Sequence, residues 1–324
     1  MRKLLASLFL LASASASLAA GCAEPPPPVR DIAAETFYID AASSIADEAI
    51  IARNKQSLAE LDAGLRRIIS MADKGLAGDA SNAVCAGHWL AAWARGGAML
   101  GTMSSRQAGY ERKWRTAGIA VAYLKAREHV EAADRAVIEQ WLDRLADAVE
   151  ADYGRPKSRN NHYYWAGFAA AAVGTATGSA RHLGYASEAF NDGLSAIAAD
   201  GTLPGEMARK VRALHYNAYA LAPLVLMAEL AALRGEDWYA RHGGAIHRLA
   251  AAVRGGVHDP AGFARKAGVP TVEAPTGGVF AWRAFYAARF PARWPDPLEG
   301  TLNYPWYGGD CGLAAEVWIK RQGK

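Results

Sequence analysis

The feature that most constrains this chain is helical periodicity, which recurs almost from end to end with hardly any strand-like alternation. In DRAVIEQWLDRLADAVEADYG, Val137, Trp141, Leu142, Leu145 and Val149 fall on one stripe and charges on the other. Asp134 is placed to cap this helix and Gly154 to end it. Similar patterns cover roughly 54–73, 84–101, 108–127, 161–175, 182–199, 204–234 and 237–253, so at least eight helices are expected. Ala-rich faces such as FAAAAVG let helices approach closely, and short connections make sequential neighbours antiparallel. The product is an all-α stack of helical hairpins; periodicity alone does not choose between a bundle, a solenoid and a closed ring.

The ends of the chain read differently. Residues 1–20, MRKLLASLFLLASASASLAA, have the basic start, apolar run and small-residue finish of a cleaved secretory signal, which leaves 21–324 as one domain in the periplasm or outside the cell. The apolar run is short for a membrane span. Removing Arg2 and Lys3 lowers the 36 basic residues to 34 against 32 acidic ones, about +2, too mild a charge for a nucleic-acid partner. Only Cys22, Cys85 and Cys311 are present, with no CxxC pair and no His/Cys cluster at zinc spacing, so no structural metal is expected. Two uses suit Cys22, a lipid anchor or a clip to Cys85; the clip leaves Cys311 free. Beyond residue 255 the pattern weakens into an aromatic, Pro/Gly-rich tail that is costly to expose and is therefore expected to fold onto the helical body.

Two stretches carry more chemistry than packing requires. RNNHYYWAG, residues 159–167, places Asn160, Asn161 and His162 at a helix entrance where one asparagine suffices as a cap. TLPGEMARKVRALHYNAYALAPLVLMAEL, residues 202–230, reads as one long helix with Met207, Val211, Leu214, Ala218 and Leu221 on its apolar stripe and Pro223 placed where it can kink the helix. On a neighbouring face stand Arg209, Arg212, Tyr216 and Tyr219, with Arg209 and Tyr216 separated by ~10 Å of helical rise. Guanidinium groups and amides bind carboxylates, and aromatic rings stack on sugars, so the set suits a carboxylate-bearing carbohydrate. Neutralising that carboxylate acidifies the neighbouring C–H, and a base with an acid then completes β-elimination. Glycoside hydrolysis needs two facing carboxylates; Glu206 and Asp200 are more simply helix-start charges. The same groups also suit a non-catalytic protein that binds or exports polyuronates.

NNHYYW, followed about fifty residues later by ARKVRALHYNAYAL, resembles the alginate lyase family of polysaccharide lyases, with similarity from FYIDAASS near residue 37 to the terminal GGD. The resemblance implies an incomplete (α/α) toroid with a tunnel-like cleft, an anionic polyuronate as partner, no cofactor, and a monomer without a membrane span. It implies Asn161 and Arg209 as carboxylate neutralisers, His162 as base or neutralising partner, Tyr216 as acid and, for one epimer, also base, and His215 as an orienting group. Tyr110, Trp114, Trp165, Arg212 and Tyr219 become candidate substrate contacts, and Cys22 with Cys85 a disulfide. Tyr163 stands where alginate-specific members commonly carry serine, which extends the expected substrates from polymannuronate to glucuronan and hyaluronan.

Overall fold

The computed structural model describes residues 21–153 and 159–322, so the expected signal segment and Gly154 lie outside the described residues. The body is built from α1 (Glu48–Ser57), α2 (Ala59–Leu76), α3 (Ala80–Gly96), α4 (Arg106–Ala126), α5 (Ala132–Asp152), α6 (Asn161–Thr177), α7 (Ala180–Ser195), α8 (Pro204–Met207), α9 (Ala213–Leu233), α10 (Arg241–His258), α11 (Pro260–Ala267), α12 (Arg283–Arg289) and α13 (Cys311–Gln322). An inner series runs α2 on α4, α4 on α6 and α6 on α9, while α3, α5, α7 and α10 pack outside it. Small residues set the close approaches: a Cβ on Gly167 of α6 would lie 2.5 Å from the Ala189 Cβ of α7. This is an α/α toroid, and α12 and α13 bridge its last inner helix, α9, back to its first, α2.

The tail folds onto the body as expected. Its short antiparallel pair, β1 (Asn303–Tyr304) and β2 (Gly309–Asp310), flanks a turn pinned by a buried ion pair. Lys125 donates to Asp73 at 2.6 Å and to the Gly308 carbonyl at 2.7 Å, and the Asp310 N–H donates to the other Asp73 oxygen. Gly118 lets the tail come this close, because a Cβ there would meet the Pro305 carbonyl oxygen at 2.1 Å.

Three details differ from the periodicity. Helix α5 begins two residues before Asp134, after Glu131, and Asp134 pairs with Arg95 instead of capping. The first expected helix starts at Glu48 and is broken at Leu58. Most consequentially, 204–234 is not continuous: α8 ends at Met207, Lys210 takes a left-handed φ of 55°, a 3₁₀ turn covers Lys210–Arg212, and α9 starts at Ala213. Pro223 lies within α9 and cannot bond the Tyr219 carbonyl, which accepts instead from Trp165 Nε1 at 3.2 Å. The segment 210–233 is also long and apolar enough to cross a membrane, but 89% of its most apolar stretch is buried inside the protein, as in a core helix.

Cys22 is joined to Cys85, and Cys311 is free and buried. The bond spans 63 residues and fixes the N-terminal arm on α3, where Trp89 Nε1 also donates to the Ala23 carbonyl. Replacing both bridging cysteines by serine is expected to lower unfolding free energy by about 2–4 kcal/mol in denaturant titration.

Candidate active site

The first turns of three inner helices meet at one cavity of about 610 Å³. Helix α4 contributes Arg106, Gln107, Tyr110 and Trp114; the start of α6 contributes Asn160 and His162; the broken 204–219 segment contributes Arg209, Arg212, His215, Tyr216 and Tyr219. The tail adds Tyr304 and Trp306, and the N-terminal arm adds Thr36, Phe37, Tyr38 and Ser43. A second cavity, of about 760 Å³, shares Arg106, Tyr110, Asn160 and His162 with the first, so the two are lined in common along that wall. Helix starts carry partial positive charge and three arginines stand among them, so the cavity suits an anion despite the mild net charge.

The helix break before α9 shapes the site. Instead of lying two turns apart, the Arg209 guanidinium sits 4.9 Å from the centre of the Tyr216 ring. Its Nη1 donates to the Ala42 carbonyl, and its Nε lies 3.6 Å from Glu206. The Tyr216 hydroxyl donates to the Tyr38 hydroxyl at 2.8 Å, and Arg212 donates to that same Tyr38 oxygen at 2.6 Å. Burial, with Tyr38 as a further cause, raises the Tyr216 pKa above the ordinary phenol value, so the group holds its proton at neutral pH.

His162 is stacked on Tyr110, with ring centres 3.8 Å apart, and its Nδ1 lies 3.0 Å from Lys113 Nζ. Burial, reinforced by Lys113, Arg209 and Arg106, lowers its pKa well below 6.5 and keeps the imidazole neutral. His215, on the cavity wall and stacked with Tyr219, is likewise lowered by burial, to about 4.

Two expected contacts lie behind the wall. Asn160 both caps α6 and lines the cavity, whereas Asn161, one residue on, turns inward. Asn161 is fully buried; its N–H and Nδ2 both donate to Glu206 Oε1, at 3.2 and 2.9 Å. Trp165 is also fully buried, because α6 is enclosed by α4, α5, α7 and α9 and only its entrance reaches the cavity. The rings that do line the cavity include Tyr110, Trp114, Tyr219 and Trp306, with Trp114 and Trp306 stacked on each other at 4.3 Å. Tyr163 lies in the core against Tyr185, so the phenol that stands in place of serine does not line the cavity.

Residues that motif reading missed include Tyr38, Arg106, Lys113 and Glu206. Glu206 is no exposed helix-start charge: it is 2% exposed, burial raises its pKa, and it ties Asn161 to Arg209. The signals were present only as context: Tyr38 stands in FYID, and Lys113 stands between Tyr110 and Trp114 on a helix with few exposed positions.

Comparison with known proteins places the chain in a family. The alginate lyase family model matches residues 31–263. A polysaccharide lyase of Stenotrophomonas maltophilia is 43% identical over 320 residues, covering 96% of this chain and 95% of the relative. An alginate lyase of Azotobacter vinelandii is 34% identical over 72% of this chain and 65% of its own length. Among solved structures, a tyrosine-to-phenylalanine variant of alginate lyase A1-III complexed with tetrasaccharide aligns at a TM-score of 0.77, 25% identity, 92% of this chain and 86% of that one. Alginate lyase A1-III from Sphingomonas species A1 aligns at a TM-score of 0.72 and 23% identity, over 90% of this chain and 85% of that one. On this match of sequence along nearly the whole chain, and with the toroid shared, the chain belongs to the alginate lyase family and is a polysaccharide lyase.

Proposed function

We propose that this enzyme cleaves mannuronate- and glucuronate-containing polymers by β-elimination, with Tyr216 carrying both protons. The observation that carries this reading is the Tyr216 hydroxyl, held on the cavity wall beside Arg209 and Arg212 and bonded to Tyr38. Arg209 neutralises the uronate carboxylate from one side and His162 hydrogen-bonds it from the other, so that charge developing on C5 spreads onto a neutralised carboxyl group. Asn161 acts from behind the wall, holding Glu206 against Arg209. Tyr110, Trp114, Tyr219 and Trp306 offer ring faces, and His215 and Arg212 border the sugar.

In β-linked mannuronate and glucuronate the C5 hydrogen and the C4 oxygen lie on one face of the ring; in guluronate they lie on opposite faces. A single phenol on that face gives its proton to the departing O4 as its oxygen receives the C5 hydrogen. The C4–O bond breaks, a C4–C5 double bond forms, and Tyr216 ends protonated, as it began. A raised Tyr216 pKa fits this exchange better than a mechanism that begins from phenolate.

The pH dependence follows in sign. The His162 pKa lies well below 6.5, so lowering the pH through 6.5 does not protonate it; Tyr216, raised above 10, does not ionise as pH climbs toward 10. We therefore expect kcat/KM on mannuronan to stay level down through pH 6.5 and not to rise toward pH 10, checked by initial rates across that range. An acid limb centred at 6.5, or a climb following phenol ionisation, would contradict these assignments.

Mass spectrometry of the products tests the reaction class: elimination leaves a new non-reducing end lighter by one water than hydrolysis does. Polymer that binds but never shortens would instead favour a carrier protein. We also propose export by the 1–20 segment, with Cys22 committed to its disulfide rather than to lipid; N-terminal sequencing of mature protein starting anywhere but after Ala19 or Ala20 sinks this. We also propose that the working unit is a monomer, as the family resemblance implies, which a light-scattering mass of two chains would overturn.

A further inference from the structure

Lys113 is the least expected side chain near the site. It is fully buried, and among the described residues no carboxylate forms an ion pair with it. Its Nζ instead lies over three aromatic rings, 4.4 Å from the centre of Tyr153, 4.6 Å from Tyr110 and 5.1 Å from Trp114. Burial lowers the Lys113 pKa well below the ordinary lysine value, and the ring cage is what opposes that loss by holding the desolvated ammonium as a cation. Among the described residues its one hydrogen-bond partner is His162 Nδ1, at 3.0 Å.

We propose that Lys113 is a positioning residue that locks His162 in the Nε2–H tautomer and so makes it a hydrogen-bond donor to the substrate rather than a base. An ammonium has three donors and no acceptor, so a bond to Nδ1 makes that nitrogen the acceptor. The single proton of a neutral imidazole then sits on Nε2, the nitrogen left to face the cavity. The ring cannot turn over freely, because it is stacked on Tyr110 within 17° of parallel. Burial first, then Lys113 behind and Arg209 and Arg106 on the cavity side, disfavour a second proton on this ring; on the lysine itself burial favours the neutral form, and Glu111 and Asp152 oppose it by favouring the charge.

The consequence concerns specificity and rests on the elimination mechanism proposed above. With no lone pair on Nε2, His162 cannot take a C5 proton from the ring face opposite Tyr216. The site therefore has one proton carrier, on one face, and guluronate lacks the base that it would need.

The test reads the tautomer directly and is independent of activity. In the full-length mature protein labelled with ¹⁵N-histidine, long-range ¹⁵N–¹H correlation distinguishes Nε2–H from Nδ1–H imidazole, with the His162 signal assigned by its loss in His162→Gln. We expect Nε2–H in the wild type and loss of that preference in Lys113→Met, a neutral side chain of similar length; kcat on mannuronan should fall on the order of tenfold to a hundredfold with a smaller change in KM. Lys113→Arg, which keeps a cationic donor, should restore the tautomer. Nδ1–H in the wild type overturns the proposal even if Lys113→Met does not fold, and so does an unchanged Nε2–H tautomer in folded Lys113→Met. An Nε2–H wild type that cuts no polyuronate would instead leave Lys113's role standing and sink the functional reading.

Discussion

Tyr216→Phe is expected to abolish chain cleavage while leaving polymer binding within a few-fold of the wild type. The substitution removes one oxygen from a ring that is 8% exposed and keeps every packing contact that the ring makes. The Arg209 guanidinium still has its aromatic face at 4.9 Å, and Tyr38 still accepts from Arg212, so the cavity keeps its shape and its cations. What disappears is the only hydroxyl proposed to move protons, in both halves of the elimination. Acid–base groups contribute about 10²–10⁴ in rate, and with both transfers resting on one group we expect kcat to fall by at least about 10³. Binding measured by calorimetry on mannuronan oligomers separates this outcome from a collapsed site. Retained cleavage would mean that another group carries the protons.

Arg209→Met should lose about 10²–10³ in kcat/KM, because charge developing at C5 would lose its principal cation. It should also cost stability, for a reason separate from chemistry. Glu206 is almost fully buried, and Arg209 is the cation nearest its Oε2, which has no hydrogen-bond partner. Leaving that carboxylate without its cation is expected to cost about 1–3 kcal/mol. The double variant Arg209→Met/Glu206→Gln then separates the two effects: an amide can still meet Asn161 and needs no counter-charge, so thermal stability should recover while activity should not. Recovery of both, or of neither, would mean that the Glu206 contact does not do what its geometry implies.

The helical class, the order of helices and the two polar stretches were legible because they depend on local periodicity and local composition. The joint before α9 was not. Nothing in ARKVRAL breaks helical periodicity, yet Lys210 takes a left-handed conformation, and the Arg209 guanidinium lies over the Tyr216 ring. Asn161 and Trp165 illustrate a related limit. Their polar and aromatic character was visible, but adjacent positions on a helix point about 100° apart, and which of Asn160 and Asn161 faces the cavity depends on neighbours that come later in the chain. Tyr38, Lys113 and Trp306 come from three separate segments, each unremarkable alone, and only the closed toroid brings them to one wall or just behind it. Ring closure itself entered through family resemblance, because hairpins with the same periodicity also build solenoids.

The most direct measurement follows the ultraviolet absorbance of the new C4–C5 double bond while pure protein, with chelator present, acts on mannuronan, glucuronan, hyaluronan and guluronan. One phenol moving both protons on one ring face predicts a rise with mannuronan and with a glucuronate polymer, and none with guluronan. Guluronan cut as fast as mannuronan, or no rise with any of the four, would contradict the account.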